Sequence, residues 1–508
     1  MRSSKALVAA IVLVVVVMFG SFVMSEQQQE RPTDGFIILH TNDTHCYYGD
    51  DGSLGFSTVN ELKEKYVSEG KTVFLVDAGD FLQGNSYGTL TEGAASVQVM
   101  NEVGYDLGAP GNHEFDFTFP VMMERIGELN YPIICANLAY ESTGKSVFPE
   151  YKIIEKDGWK IGFFGILTPD TPSTTNHGNM GDSVVTDIMD ATERMVKLLK
   201  SKHVDYIVAL GHVGLKATST VTSDEICAEI PGIDIFIDAH SHTEMDHGKV
   251  SDGSIELLPS DTVIASTGSY NKNVGVITVS PEGEIVADLY RGEAISDPTI
   301  DETVEEIHEQ IDEILSGVVA TSEIYLNGER QYVRTQETNL ADLVADSMRA
   351  YSGTQVAVVN GGGVRTSLEA GDITLKNVYD VMPFQNDLVT MTVTGQTLYD
   401  LMEFSYSYYG LTFGGFIQVS GMTVTVDPSK EVNSRVQSIY VGEEPVQKDA
   451  TYTLTTLDFI ATGGDDNTTL INYEKQVVGD QAVAFVTYLD DIENITADKI
   501  QMGRLIEV

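Results

Sequence analysis

Short uninterrupted apolar runs, each breaking off into polar residues, recur through the first half of the chain. Phe36-Ile37-Ile38-Leu39 stops at His40-Thr41-Asn42-Asp43, and Val73-Phe74-Leu75-Val76 stops at Asp77-Ala78-Gly79-Asp80. Tyr206-Ile207-Val208-Ala209-Leu210 gives way to Gly211-His212, and Ile235-Phe236-Ile237 to Asp238-Ala239-His240. Runs of this length without alternation predict strands buried on both faces, sandwiched between helices. In such layered α/β structures, sites gather at strand ends. A helical pattern over Asp190 to Lys200, with Met195, Val196, Leu198 and Leu199, fits between two of these strands.

The periodicity changes after Ser296-Asp297-Pro298. From Thr299 to Leu315 it is helical, with Val304, Ile307, Ile311, Ile314 and Leu315 on one face among acidic residues, which predicts an amphipathic helix joining two domains. Further on, a helix over Asn339 to Tyr351 and the alternating run Val389 to Thr394 predict an α+β second part. The expected division is an α/β layered sandwich over 34–297, a linker helix over 298–320 and an α+β substrate-binding domain over 321–508.

The first 25 residues stand apart. Arg2 and Lys5 precede an uncharged apolar run from Ala6 to Met24, and Glu26 and Glu30 follow it. This pattern predicts an export signal in residues 1–25, as a cleaved signal peptide or a retained membrane anchor. Either places the bulk of the chain outside the cytoplasm, secreted or tethered to the outer face of the membrane. At 508 residues the chain is long enough for more than one core, and its 42% hydrophobic and 21% charged residues are globular values. A formal charge of -46 excludes a nucleic-acid polymer as partner, because backbone phosphates would be repelled. High-salt adaptation and plain solubility both suit such acidity. Cys46, Cys135 and Cys227 are an odd set and no disulfide framework.

Five short segments at the strand ends carry the ligand types that a binuclear hydrolytic centre requires: Asp43-Thr44-His45, Gly79-Asp80, Gly111-Asn112-His113-Glu114, Gly211-His212 and His240-Ser241-His242. Each alone is weak, but their order and placement point together to a shared site. Two divalent metals need a bridging carboxylate, for which Asp80 is the natural residue, with imidazole and oxygen ligands around it. Alternation along an extended segment sends His240 and His242 to one side. The second part of the chain, from Leu326 on, has no histidine, so imidazole chemistry belongs to the first.

These segments resemble those of the calcineurin-like metallophosphoesterases, and specifically the 5'-nucleotidase and UDP-sugar hydrolase family. The stretches that carry the likeness are Ile38 to His45, Asp77 to Gly84, Gly111 to Asp116 and His240 to Thr243. The resemblance implies two divalent ions, zinc, manganese or similar, one held by Asp43, His45, Asp80 and His242 and the other by Asp80, Asn112, His212 and His240. It implies His113 as the catalytic histidine, oriented by Asp116. Three positions depart from the family pattern: Cys46 and Ala239, where glycine is usual, and Gly211, where a hydroxyl residue is usual. None of them removes a ligand.

The likeness continues through Asn360 to Arg365, Met382 to Asn386, Gly415 to Gly421 and Asp458 to Asp465, which are similar to the family's nucleotide-binding domain. It implies Phe416 and Phe459 as a clamp for a nucleobase, Asp465 as acceptor for ribose hydroxyls, Arg365 as a phosphate ligand and Asn360 as support for its loop. The expected activity is extracytoplasmic hydrolysis of nucleotides to nucleoside and phosphate. UDP-sugar hydrolase, 2',3'-cyclic nucleotide phosphodiesterase and dinucleotide pyrophosphatase activities fit the same residues, and a silent binding protein is a further alternative.

Overall fold

The computed structural model describes residues 32–508 apart from 50–51, 176, 216–218, 247 and 385. The leader read in residues 1–25 lies outside the described residues, among which no helix is long and apolar enough to cross a membrane.

Each expected strand of the first domain forms, and its alternate residues serve two different cores. In Phe36–Thr41, Phe36 and Ile38 face one cluster while Ile37 and Leu39 face another. Thr72–Asp77 divides in the same way, Phe74 and Val76 against Val73 and Leu75. The shared cluster lies between two five-stranded sheets. One runs Ile285–Tyr290, Val274–Val279, Phe36–Thr41, Thr72–Asp77, Leu107–Gly108. The other runs Val263–Ala265, Ile235–Asp238, Tyr206–His212, Trp159–Leu167, Tyr151–Lys156. Val208, Leu210, Ile235 and Ile237 fill the space between the sheets from the second side, while Ile207, Ala209 and Phe236 meet the outer helices. Burial on both faces is why these runs show no polar alternation.

Phe36–Thr41, Thr72–Asp77 and Leu107–Gly108 are mutually parallel, as are Trp159–Leu167, Tyr206–His212 and Ile235–Asp238. The ends of five of these six strands and the loops after them, Trp159–Leu167 excepted, bring the ligand-type residues to one rim of the sandwich.

The helix after Asp297 spans Pro298–Leu315, with Asp297 capping it by accepting from the Thr299 and Ile300 amides. Ile300, Ile307, Ile311 and Leu315 pack into the first domain's outer core. Ile314, expected on that face, is instead 61% exposed. The 307–311–315 spacing defines a ridge, and 314 falls beside it. The chain then enters Val318–Ser322, paired with Gly371–Thr374 and Asn494–Ile495 of the second domain. That domain centres on a sheet ordered Ile417–Ser420, Val356–Asn360, Thr451–Leu457, Asp387–Thr394, Gln476–Asp480, with Asn339–Ser352 and Gln481–Ile492 among its helices.

Candidate active site

Two groups of side chains at the rim converge tightly enough to hold a cation each: Asp43, His45 and His242, and Asp80, His212 and His240. In the first, His45 Nε2 and His242 Nε2 are 3.1 Å apart, and His242 Nε2 is 3.6 Å from Asp43 Oδ1. In the second, His212 Nε2 is 3.1 Å from Asp80 Oδ2 and 3.2 Å from Asn112 Oδ1, while His240 Nδ1 is 2.8 Å from the same amide oxygen. Asp80 Oδ2 also lies 3.8 Å from His45 Nε2, so this carboxylate stands between the groups. Nitrogen and oxygen atoms aimed at two common points fit two borderline divalent ions such as zinc or manganese.

The outer nitrogens of two of these histidines are fixed by backbone carbonyls. His45 Nδ1 bonds Gln83 O at 2.8 Å and His212 Nδ1 bonds Ala78 O at 2.9 Å, which directs both Nε2 atoms inward. Burial pushes His45 down to about 3, so its lone pair is available. Burial alone would neutralise Asp80, but His212 and His113 outweigh it and hold the carboxylate well below its usual range.

The loops are held in an uncommon backbone form. Asp43, His45, Asp80, His240 and His242 have φ of 48°, 49°, 61°, 73° and 57°, in the left-handed region. Each such residue costs roughly 1–3 kcal/mol and persists only where neighbours enforce it. Here the Asp43 amide donates to Gly79 O at 2.9 Å and the His45 amide to Asp80 O at 3.0 Å. Glu114 supplies the rest. Its buried carboxylate accepts from the amides of Asp80, Phe81, Leu82 and Gly111, tying two ligand loops together. Gly111 has no room for a side chain, since a Cβ would come within 2.2 Å of Asp80 Oδ1. Gly211 has a similar explanation, because the Phe236 ring fills the space where a hydroxyl residue would stand.

Cys46 is no ligand in this arrangement. Its thiol contacts Phe81 O at 3.4 Å and Ser96 Oγ at 3.3 Å, and burial pushes it up to about 12. All three cysteines are free and buried.

His113 sits beside the metal-type groups. Its Nδ1 is 2.6 Å from Asp116 Oδ2, and Asp116 Oδ1 accepts from Thr175 Oγ1 at 3.0 Å. Burial disfavours the imidazolium, but Asp116 and Asp80 outweigh burial and raise the His113 pKa. Nε2 is left as the ring's remaining polar atom.

Asp80, Asn112, His113, Asp116, His240 and His242 line a cleft whose other wall belongs to the second domain. Arg365, Asn360, Phe459 and Asp465 all reach it, and Asn360 Nδ2 donates to Asp465 Oδ2 at 2.7 Å. Phe416 does not. It is 3% exposed and packs edge-on against Tyr406 at 5.5 Å, inside the core. The ring facing the cleft is Phe413, stacked on Tyr408 at 3.8 Å and lying over Gly415. The reason is a tight turn: the Phe416 amide donates to Phe413 O at 3.2 Å, and strand Ile417–Ser420 begins next, which directs Phe416 into the sheet.

Sequence reading also missed Arg330 and Arg334, which line the cleft with Arg365. Arg330 opens the short helix Arg330–Val333 and Arg334 follows it, and their i, i+4 spacing is the signal that could have shown a common face. Among the described residues, none of these three guanidiniums has a carboxylate within ion-pair distance. Burial and then the neighbouring Arg330 and Arg365 press against the charge on Arg334. Such a cluster is complementary to a multiply charged anion.

Comparison with known proteins decides the relationship. Residues 36–244 match the calcineurin-like phosphoesterase family, and residues 318–471 match the 5'-nucleotidase C-terminal domain. The chain belongs to the metallophosphoesterases of the 5'-nucleotidase family. The 5'-nucleotidase of Vibrio vulnificus is 28% identical over 84% of this chain and 85% of its own length. The trifunctional nucleotide phosphoesterase YfkN of Bacillus subtilis is 29% identical over 87% of this chain, which spans only 33% of that protein. The crystal structure of a 5'-nucleotidase precursor from Thermus thermophilus superposes with a TM-score of 0.80 and 26% identity, over 93% of this chain and 99% of its own. The chain is therefore an enzyme of the phosphoester-hydrolysing type, with two candidate metal groups.

Proposed function

We propose that the protein hydrolyses nucleotide 5'-phosphate esters to nucleoside and phosphate outside the cytoplasm. The observation that supports this best is the cleft itself, in which metal-type ligands, three arginines and aromatic rings line one continuous cavity. The division into 34–297, a connecting helix within 298–320 and 321–508 belongs to the same reading.

Asp43, His45, Asp80 and His242 would hold one ion, and Asp80, Asn112, His212 and His240 the other. When bound, two such ions supply Lewis acidity to a phosphoryl oxygen and activate water at neutral pH. Arg330, Arg334 and Arg365 grip the phosphate oxygens and offset the charge that builds on them during displacement. His113, held by Asp116 in one tautomer and plane, presents Nε2 to the phosphoryl group or its leaving oxygen and donates a proton there. Phe459 and the Phe413–Tyr408 pair stack on the base, and Asp465, steadied by Asn360, accepts from the ribose. Stacking without base-edge contacts tolerates several bases. The leader pattern in residues 1–25 supports the extracytoplasmic placement.

Consumption of AMP, ADP, UDP-glucose and 2',3'-cyclic AMP, with nucleotide products separated by chromatography and free phosphate measured alongside, after metal removal and readdition, tests the reading. Metal-dependent release from AMP that His113→Ala abolishes is the expected result. Turnover of UDP-glucose or the cyclic ester in preference to AMP would overturn the choice of substrate.

A further inference from the structure

One aromatic ring of the second domain reaches the chemistry of the first. Phe384 stacks on His113 at 5.4 Å with the planes 13° apart, and the Arg365 guanidinium lies over the same Phe384 ring at 5.3 Å. Among the described residues, Arg365 has no other side-chain partner. The imidazole of His113 is otherwise fixed at an edge by Asp116 and touched edge-on by His45 at 5.2 Å and 67°. A single hydrogen bond at one edge leaves the ring free to rock about that contact. A parallel ring on its face stops the rocking.

Phe384 is itself held by the first domain. The carbonyl before it, Pro383 O, accepts from Gln83 Nε2 at 2.5 Å and from Thr89 Oγ1 at 2.7 Å. Earlier in the same segment, Asp380 Oδ1 accepts from the Ser86 amide at 3.1 Å. Gln83 is the residue whose carbonyl orients His45. One residue thus fixes a metal-type ligand through its backbone and the Phe384 loop through its side chain.

We propose that Phe384 is a positioning residue for phosphoryl transfer, a ring on the second domain that sets the plane of His113 and the station of Arg365 together. The catalytic histidine is then complete only when the second domain is docked. The inference rests on the proposed roles of His113 and Arg365 and assigns the residue that brings them into register. It involves neither base nor ribose, so its effect belongs in kcat and is independent of the nucleoside.

Phe384→Ala, Phe384→Leu and Phe384→Tyr are compared on AMP and on 4-nitrophenyl phosphate, with metal content and melting temperature measured for each variant. A misplacement of about 1 Å at a reacting group costs on the order of 100-fold. The expected result is a roughly 10- to 100-fold fall in kcat for Phe384→Ala on both substrates, with KM changed less than about threefold and metal content intact. Phe384→Tyr recovers most of the loss and Phe384→Leu does not, because a flat ring rather than volume is required. Wild-type kcat in Phe384→Ala, a loss confined to KM or to AMP, or equal recovery by leucine would each overturn it. Turnover of 4-nitrophenyl phosphate but not AMP by the wild type would sink the nucleotidase reading and leave this comparison decisive on the remaining ester.

Discussion

The two walls of the cleft achieve order in opposite ways. On the metal side, the ligand loops are tied down by hydrogen bonds: carbonyls hold His45 and His212, and Glu114 gathers amides from Asp80 to Leu82 and from Gly111. On the second-domain side, Arg330, Arg334 and Arg365 face the cavity with no carboxylate in ion-pair distance among the described residues, where Arg334 Nε is also buried without an acceptor. The first wall is preorganised, and its strain is spread over a hydrogen-bonded frame. The second carries three cationic side chains close together, with Asp465 the carboxylate that favours the charge on Arg334. Under the proposed function, most of the geometry for the reaction is set in the first domain and completed by Phe384, while the cationic side chains offered to the phosphate lie in the second.

The comparison breaks most severely at Asp80. Its carboxylate stands between both ligand groups and also accepts from the His113 amide at 2.9 Å. Asp80→Ala is expected to lose both metals and to lower phosphate release by roughly 10⁴-fold or more. Elemental analysis of the purified variant checks the first part. Two metals retained per chain would show that the groups are independent of Asp80.

Arg334→Ala should cut the other way on stability. Removing a buried cation that has no ion-pair partner among the described residues relieves a desolvation cost larger than the attraction of Asp465, so the melting temperature of the substrate-free protein is expected to rise. Loss of a charge-assisted phosphate contact should lower kcat/KM by about 100-fold, or ~2.7 kcal/mol. Loss of activity together with loss of stability would mean that the guanidinium is structural.

The two candidate metal groups were legible because their residues sit at or just beyond the ends of buried strands, where side-chain type and topology agree. The left-handed backbone of Asp43, His45, Asp80, His240 and His242 was not, since that conformation is imposed by hydrogen bonds between loops far apart in sequence. Arg330 and Arg334 escaped notice because two charged residues on a short helix look like an ordinary solvated face. Only the fold turns that face to the cleft. Phe416 was misplaced because composition cannot tell which end of a tight turn enters a sheet. Only Gly414 and Gly415 separate the ring in the core from the ring in the cavity.

That distinction gives the next test. Phe413→Ala removes a ring from the cleft, and base–aromatic stacking contributes about 1–3 kcal/mol, so KM for AMP should rise roughly 5- to 150-fold. Phe416→Ala opens the core and should cost ~3–5 kcal/mol of folding free energy, seen as a lower denaturation midpoint. The reverse pattern would restore Phe416 to the substrate site.

The smallest effect lies away from the cleft and asks whether buried charge is tolerated where no ligand settles it. Asp342, on the helix Asn339–Ser352, is fully buried, and neither carboxylate oxygen has a hydrogen-bond donor, although Arg504 Nη1 lies 3.8 Å away. Burial raises its carboxyl to about 9, with Arg504 opposing the shift and the acidic Glu337 and Asp346 adding to it. The folded state therefore keeps a proton that the unfolded chain releases near its ordinary carboxylate value. Below about pH 4 both states are protonated and Asp342 costs nothing. Between about pH 4 and 9 the unfolded state gains by ionising, so this residue's contribution to stability falls as pH rises. Asp342→Asn removes that dependence. It should leave the denaturation midpoint unchanged near pH 4 and raise it by the equivalent of about 1–3 kcal/mol near pH 8. A variant less stable than the wild type at pH 8 would show that the carboxylate is ionised and paired with Arg504 in the folded protein, as the arginines of the cleft are not.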